Sequence, residues 1–272
     1  MRKRKKIILL LCLCILAIGG FWWHSIKPSN DRTWTRDQQI LPFYEMNGDD
    51  VTIHHIRNFT YRTRDDYDVA YYDKTFNLSK ISSVWYIVEP FSDFKGAAHT
   101  FLSFGFQNGS YVGISVEIRK EVGEKFSALK GIFKQYELMY VIGDERDLIG
   151  LRSNIRNDDV YVYPIKATPD QIRTLFVSML TRANTLRDHP EFYNSFTNTC
   201  TTNIVHHINM LSPKSIPWSY KILMPAYSDS FAFDLGLIDT NLPLEKARQQ
   251  FHINERAMIY AKSSDFSKRI RE

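Results

Sequence analysis

Residues 97–119 read AAHTFLSFGFQNGSYVGISVEIR, and this stretch decides the fold. Apolar residues alternate with small or polar ones on both sides of a turn around Asn108, which predicts two antiparallel strands joined as a hairpin. Every second residue from Thr100 lies on the apolar face of the first strand, and His99 lies on the other face. Matching the two apolar faces fixes the register, so a three-residue turn places His99 directly opposite Glu117.

A cysteine about a hundred residues downstream is the candidate nucleophile. Residues 196–209 read FTNTCTTNIVHHIN, and Asn198 or Thr199 is suited to cap a helix that begins at Cys200. The free N–H groups and the positive end of the helix dipole in a first turn stabilise a thiolate. The same N–H groups can bind an oxyanion during acyl transfer. Asn198 and Thr199 are therefore candidate oxyanion or substrate contacts.

The best candidate for the general base is His99 rather than a neighbour of the cysteine. His206 and His207 lie six and seven residues further along the same helix. About 10 Å of helix rise separates them from Cys200, which is too far for a shared proton. Cys200, His99 and Glu117 together predict a papain-like catalytic constellation of thiol, imidazole and carboxylate. The alternative for His99 is a hydrogen-bonded core histidine.

Cysteine usage leaves Cys200 without a disulfide partner. The other two cysteines, Cys12 and Cys14, fall in an apolar run at the N-terminus and cannot reach the rest of the chain. A lone thiol in an oxidising compartment is exposed to oxidation and mispairing. The alternative interpretation, which holds for most single cysteines, is a buried and inert thiol that acts as a small apolar side chain.

The N-terminus has the pattern of a signal anchor. A basic leader over residues 1–6 precedes the apolar run IILLLCLCILAIGGFWW at residues 7–23. This pattern predicts one transmembrane helix with a cytoplasmic N-terminus, followed by a juxtamembrane linker at residues 24–38. A cleaved signal peptide is the alternative, but no small-residue cleavage site follows the run. Either way, we expect the globular part to be exported.

Composition argues against nucleic acid as a partner. The chain has 35 basic residues, and removing the five in the leader leaves 30 against 30 acidic residues. The remaining portion is neutral by count, without the basic patch of a nucleic-acid-binding protein. No H-E-x-x-H or C-x-x-C spacing occurs, so we predict no metal and no cofactor. With no linker or repeat, we expect one α+β domain over residues 39–262 and a solvated polar tail at residues 263–272.

Further polar residues lie near the predicted hairpin and the segment that follows it. Arg119 shares a strand face with Glu117 and is a candidate substrate contact. The segment YELMYVIGDERDLIGLR begins with a predicted core strand and ends in a cluster of charges. We favour a structural ion-pair network over a substrate role for that cluster, which consists of Glu137, Glu145, Arg146, Asp147 and Arg152.

Four stretches of the sequence resemble one bacterial family. They are AHTFLSFGF, ISVEIRKEVGE, GIFKQYELMYVIGDERDLIGLRSN and PEFYNSFTNTCTTN. From about Gln39 to Leu235 the chain is similar to the Lnb N-terminal periplasmic domain family. The resemblance implies a circularly permuted papain-like fold with an antiparallel sheet, similar to NlpC/P60 proteins and lecithin retinol acyltransferases. It also implies Cys200 as nucleophile, His99 as base and Glu117 as third member. Thr199 stands where family members often have Asn.

The resemblance implies a thiol acyltransferase or amidase, anchored in the inner membrane with its catalytic domain in the periplasm. Its substrates would be membrane lipids or lipoproteins, with residues 7–23 contacting the inner membrane. A periplasmic cysteine peptidase that cuts cell-wall peptides would use the same chemistry. A membrane-anchored binding module without catalysis is the third possibility. An ordinary, slowly reacting thiol at Cys200 would favour that last class.

Overall fold

The structure is a computed structural model that describes residues 2–91, 94–211 and 214–272. Met1 of the predicted leader lies outside the described residues, and so do the side chains of Arg2, Lys3, Cys12, Ile15, Leu16 and Trp22. The strands are β1 (Phe43–Asn47), β2 (Asp50–Arg57), β3 (Thr60–Tyr61), β4 (Tyr67–Asp68), β5 (Tyr71–Asn77), β6 (Ile81–Pro90), β7 (Ala98–Phe106), β8 (Tyr111–Arg119), β9 (Glu137–Gly143) and β10 (Tyr161–Pro164).

Ten α-helices are described alongside these strands, with three short helices of other types at Leu78–Lys80, Leu151–Arg156 and Pro225–Tyr227. They are α1 (Arg2–Ser25), α2 (Ala128–Ile132), α3 (Glu145–Gly150), α4 (Pro169–Asp188), α5 (Cys200–Leu211), α6 (Tyr220–Leu223), α7 (Ser228–Asp234), α8 (Leu244–Phe251), α9 (Asn254–Ile259) and α10 (Phe266–Arg269). The longest helix in the domain, α4, begins with a Thr168–Gln171 capping box and Pro169, as its sequence predicts.

One large sheet organises the domain. Its strands follow the order β1-β2-β9-β8-β7-β6-β10, and β5 pairs with β2 at the side. Neighbouring strands are antiparallel except for the parallel pair β2 and β9. The predicted α+β class with an antiparallel-dominated sheet is confirmed.

The central hairpin has the predicted register. β7 and β8 pair Phe101 with Ser115 and Leu102 with Ile114, which places His99 opposite Glu117. Phe106 donates its backbone N–H to the Ser110 carbonyl at 2.9 Å and closes the three-residue turn. Gly109 has a φ of 80° in this turn, a conformation that favours glycine.

The two faces of the sheet pack against different helices. The face carrying Thr100, Leu102 and Phe104, which we call the front face, packs against α4 and α5. The opposite face, carrying His99 and Phe101, is the back face, and it packs against α3, α9 and α10. On the front face, Phe176 of α4 lies 4.9 Å from Phe104 between ring centroids.

Both ends of the chain depart from the predictions. Residues 7–23 are helical within α1, but the part of the chain that the structure describes contains no helix with both the length and the apolar character needed to cross a bilayer. The transmembrane anchor is therefore not supported. The predicted polar tail at residues 263–272 is part of the core, because Phe266 and Ile270 are buried in the back-face cluster. The Arg271 side chain is 6% exposed and pairs with Glu145.

Candidate active site

Helix α5 begins at Cys200, as predicted, and Thr199 is its N-cap. The Thr199 Oγ1 accepts a hydrogen bond from the Thr202 backbone N–H at 3.2 Å, and Thr202 Oγ1 accepts one from the Thr199 N–H at 2.7 Å. The Asn203 N–H then donates to the Thr199 carbonyl at 3.1 Å. This reciprocal cap fixes the first turn and therefore the position of the thiol.

The Cys200 side chain lies on the front face and is 8% exposed. Its Sγ is 3.7 Å from Thr201 Oγ1, which is 3.0 Å from Thr100 Oγ1 on β7. Burial raises the pKa of Tyr86, and the nearby Cys200 adds to the rise, which places the thiol within electrostatic range of that phenol.

Two backbone donors are free at the thiol. Among the hydrogen bonds of the described residues, none uses the N–H of Cys200 or of Thr201. The first N–H groups of a helix have no partner within the helix, so both can donate to an incoming oxygen. This is the arrangement that stabilises the oxyanion of an acyl-transfer intermediate.

On the back face, Ser115 connects His99 to Glu117. His99 Nε2 is 2.6 Å from Ser115 Oγ, and Ser115 Oγ donates to Glu117 Oε1 at 2.9 Å. Since the hydroxyl proton goes to Glu117, Nε2 is the donor to Ser115, and Nδ1 carries the lone pair of the neutral ring. The direct distance from His99 Nε2 to Glu117 Oε1 is 3.8 Å. The predicted pairing of His99 with Glu117 is confirmed, although sequence reasoning missed the serine between them.

Burial and neighbouring arginines set the charges of this group. Burial lowers the pKa of His99 to about 3, and the positive charge of Arg152 adds to the effect. Burial opposes ionisation of Glu117, but Arg152 and His99 outweigh it and hold the pKa of Glu117 well below its ordinary value. His99 is therefore neutral and Glu117 ionised near neutral pH.

Arg152 joins this group to a wider set of buried ion pairs. Its Nη2 donates to Glu117 Oε1 at 3.1 Å, and its Nε donates to Glu89 Oε2 at 2.6 Å. Burial raises the pKa of Glu89 to about 7 despite that partner. Sequence reasoning missed Glu89, whose signal was a lone acid at the end of the apolar strand ISSVWYIVEP.

The charge cluster after β9 forms ion pairs inside the fold, as the structural interpretation predicted. Arg57 donates to both Asp147 oxygens, with Nη2 to Oδ1 at 2.9 Å and Nε to Oδ2 at 3.0 Å. Arg32 lies 2.9 Å from Glu137. With Arg271 on Glu145, most of the cluster has a protein partner.

The sheet separates the predicted nucleophile from the predicted base. Cys200 belongs to the front-face core, whereas His99 stacks beside Phe101 on the back face, with ring centroids 5.8 Å apart. Among the described residues, no hydrogen bond joins the Cys200 thiol to the His99 imidazole. The reason is strand alternation, because Thr100 faces α5 and its neighbour His99 must then face away. The expectation of a direct thiol–imidazole contact is not met.

Two of the predicted substrate contacts are engaged within the fold. Arg119 donates to the Gln38 and Gln39 carbonyls and to Asn30 Oδ1, each at 2.8–2.9 Å, and its guanidinium lies 4.2 Å from the Trp34 ring centroid. Asn198 donates to the Phe192 carbonyl at 3.0 Å and accepts from Asn203 Nδ2 at 2.8 Å. The hydrogen bonds of Arg119 thus stabilise the segment before β1, and those of Asn198 stabilise the loop before α5.

Two further histidines are engaged by protein groups. His207 is buried, with Nε2 at 2.9 Å from the Tyr140 hydroxyl and Nδ1 at 2.8 Å from Ser178 Oγ. His54 Nδ1 lies 2.7 Å from Asp73. Across the described ranges, no group of three or more His, Cys, Asp or Glu side chains is arranged to hold a metal ion.

A cavity of about 180 Å³ opens on the front face beside α5. Tyr86, Thr201 and Ser228 are among the residues that line it, and the Tyr86 and Ser228 hydroxyl oxygens are 2.7 Å apart. The body is lined by apolar side chains, including Leu102, Ile172, Leu175, Ile204, Ile208 and Leu211. Five residues of α5 between Thr201 and Leu211 line the cavity, and Cys200 itself is not among the lining residues.

Comparison with known proteins identifies the family of the chain. The model of the Lnb N-terminal periplasmic domain matches residues 67–226, a span that contains Cys200, His99 and Glu117. No curated protein and no solved structure shows significant similarity to the chain. The match covers more than half of the 272 residues. This chain therefore belongs to the Lnb N-terminal periplasmic domain family.

Proposed function

We propose that this chain is a periplasmic thiol acyltransferase or amidase that acts on lipid or lipoprotein substrates through an acyl thioester at Cys200. The observation that carries the proposal is the mainly apolar cavity lined by Thr201, whose hydroxyl oxygen lies 3.7 Å from the Cys200 sulfur. A cavity with this lining accommodates an acyl chain better than a cell-wall peptide, whose amides and charges would lose hydrogen bonds with water.

The first step forms the thioester. The Cys200 sulfur attacks the acyl carbonyl carbon, an S–C bond forms, and the carbonyl oxygen gains negative charge. The N–H groups of Cys200 and Thr201 are available to stabilise that oxyanion. The bond from the carbonyl carbon to the leaving oxygen or nitrogen then breaks, and the leaving group takes up the thiol proton delivered by a base.

The second step releases the acyl group. An amine of the acceptor, or water, attacks the thioester carbonyl and loses a proton, and the S–C bond breaks to restore the thiol. An amine acceptor makes the reaction an acyl transfer, and water makes it a hydrolysis. Both outcomes use the same cysteine and the same oxyanion donors.

We assign the role of general base to His99. Its Nε2 is held by Ser115, and its Nδ1 carries a lone pair, as proton transfer requires. His99 precedes Thr100 and Cys200 precedes Thr201, and these two threonines are hydrogen-bonded at 3.0 Å. The backbones of the two predicted catalytic residues are therefore close. Direct proton transfer requires the imidazole and the thiol to reach one side of the sheet, and His99 would have to leave its pairing with Glu89 on β6 to do so.

The test compares turnover and thermal stability in Cys200→Ser and Cys14→Ser. Among the described side chains, Cys14 and Cys200 are the free thiols, so Cys14 is the matched control. We expect Cys200→Ser to abolish turnover of an acyl ester with little change in Tm, because serine is similar in size but far less nucleophilic. Cys14→Ser should keep full activity. Full activity in Cys200→Ser would refute the proposal, and an inactive wild type would favour a non-catalytic binding module.

A further inference from the structure

Residues 214–224 form a segment that we call the aromatic lip. Some of its large side chains face the inside of the protein, and others face solvent. Ile216 and Ile222 face inward and line the apolar cavity. Trp218 is 79% exposed and Tyr220 is 55% exposed. Apolar surface thus continues from the inside of the cavity onto the outside of the protein. A monomer in water gains nothing from exposing an indole at this position, so a partner is expected to cover it.

The mouth of the cavity has the residue types that favour a lipid surface. Trp and Tyr place an apolar ring and a polar atom at the boundary between acyl chains and headgroups. Leu235 lines the cavity and is 37% exposed, so it extends the apolar rim. Exposed Lys166 also lines the cavity. Lys221 lies on the lip and pairs with Asp234 at 3.1 Å. Of these two lysines, Lys166 suits the phosphates of anionic lipids, because the charge of Lys221 is already paired.

We propose that the aromatic lip docks onto the surface of a lipid bilayer, with Trp218 inserted among the acyl chains. Docking in this orientation places the cavity mouth against the membrane. An acyl chain could then enter the cavity without crossing water. The proposal depends on the lip and the cavity, and it holds whether or not Cys200 performs acyl transfer.

The experiment measures quenching of tryptophan fluorescence by vesicles that contain brominated phosphatidylglycerol and phosphatidylethanolamine. It uses the full chain with Cys200→Ser, which prevents turnover of the lipid. Bromine on the acyl chains quenches only tryptophans that enter the bilayer. The chain has five tryptophans, so the difference between this protein and a Trp218→Phe version isolates the contribution of the lip.

We expect at least twofold less quenching after Trp218→Phe, and about tenfold weaker vesicle binding after Trp218→Ala. Met258→Ala is the control, since Met258 is 62% exposed on α9, which packs on the back face, and should leave both readings unchanged. Equal quenching with and without Trp218 would overturn the proposal. So would a concentration-dependent dimer in sedimentation that Trp218→Ala abolishes, because the lip would then cover a second copy.

Discussion

At the residue scale, the candidate catalytic residues are all present, but the thiol and the imidazole lie on opposite faces of the sheet. His99, Ser115 and Glu117 form a hydrogen-bonded series on the back face, and Cys200 lies on the front face. The imidazole is kept neutral by burial and by Arg152. The neutral ring has a lone pair on Nδ1, but the burial and the Arg152 charge that keep it neutral also oppose its protonation by the thiol.

The low pKa of His99 predicts a pH dependence of stability. In the unfolded chain this histidine takes up a proton near pH 6.5, whereas in the folded chain it stays neutral down to about pH 3. Its contribution to stability is therefore lost as the pH falls from about 6.5 towards 3. His99→Gln removes this term, so the wild type should lose more Tm than the variant between neutral pH and about pH 4. Parallel Tm curves would show that the folded histidine protonates normally.

Arg152 is expected to be the most sensitive residue of the back face. It is nearly fully buried and supports both Glu89 and Glu117. Arg152→Met leaves the buried Glu89 and the partly buried Glu117 without that partner and should lower the free energy of unfolding by about 3–5 kcal/mol. Arg146→Met, at a half-exposed pair with Asp144, should cost less than about 1 kcal/mol. Urea unfolding of both variants measures the difference, and similar losses would contradict the assignment.

At the scale of elements, α5 is positioned by its cap. Thr199 accepts from the Thr202 N–H and anchors the turn that carries the thiol. Thr199→Ala should therefore lower the free energy of unfolding by about 1 kcal/mol. It should also lower turnover, because the oxyanion donors lie in the same turn. Thr197→Ala, at an exposed neighbouring position, is the control for both measurements. Unchanged stability in Thr199→Ala would show that the cap does not hold the turn.

The hairpin could be predicted because its evidence is local. Apolar residues alternate along both strands, and the turn between them needs glycine. Only one register then matches the two apolar faces, and it places His99 opposite Glu117. The face of the sheet against which α5 packs depends on contacts between segments that are distant in the sequence. The apolar side of α5 packs against the apolar face of the hairpin, and His99 lies on the opposite face. The C-terminal segment was misjudged for a similar reason, since two apolar residues among charges, Phe266 and Ile270, suffice to bury it.

At the scale of the whole molecule, the interiors on the two faces of the sheet differ in character. The back face is stabilised by buried ion pairs, and the front face holds the thiol and an apolar cavity. The family match at residues 67–226 contains Cys200, His99 and Glu117. The front-face cavity has no counterpart in the sequence analysis, because its lining comes from six separate elements of the chain.

The cavity predicts a preference for acyl-chain length. Ala232 lines the cavity, and Ala232→Phe adds a ring to that space. We expect the ratio of turnover on palmitoyl ester to turnover on butyryl ester to fall severalfold, with the butyryl rate unchanged. Ala261→Phe, at an exposed position, is the matched control. An unchanged ratio in Ala232→Phe would show that the chain does not occupy the cavity.

The central claim is that Cys200 carries an acyl group during the reaction, and intact mass spectrometry tests it most directly. The full chain is incubated with phospholipid or with muropeptide, and the protein mass is measured before and after treatment with hydroxylamine, which cleaves thioesters. We predict that phospholipid adds the mass of one acyl chain, that hydroxylamine removes it, and that Cys200→Ser abolishes the adduct while Cys14→Ser keeps it. An adduct from muropeptide alone would indicate a peptidase. No adduct on Cys200 from either substrate would contradict the account.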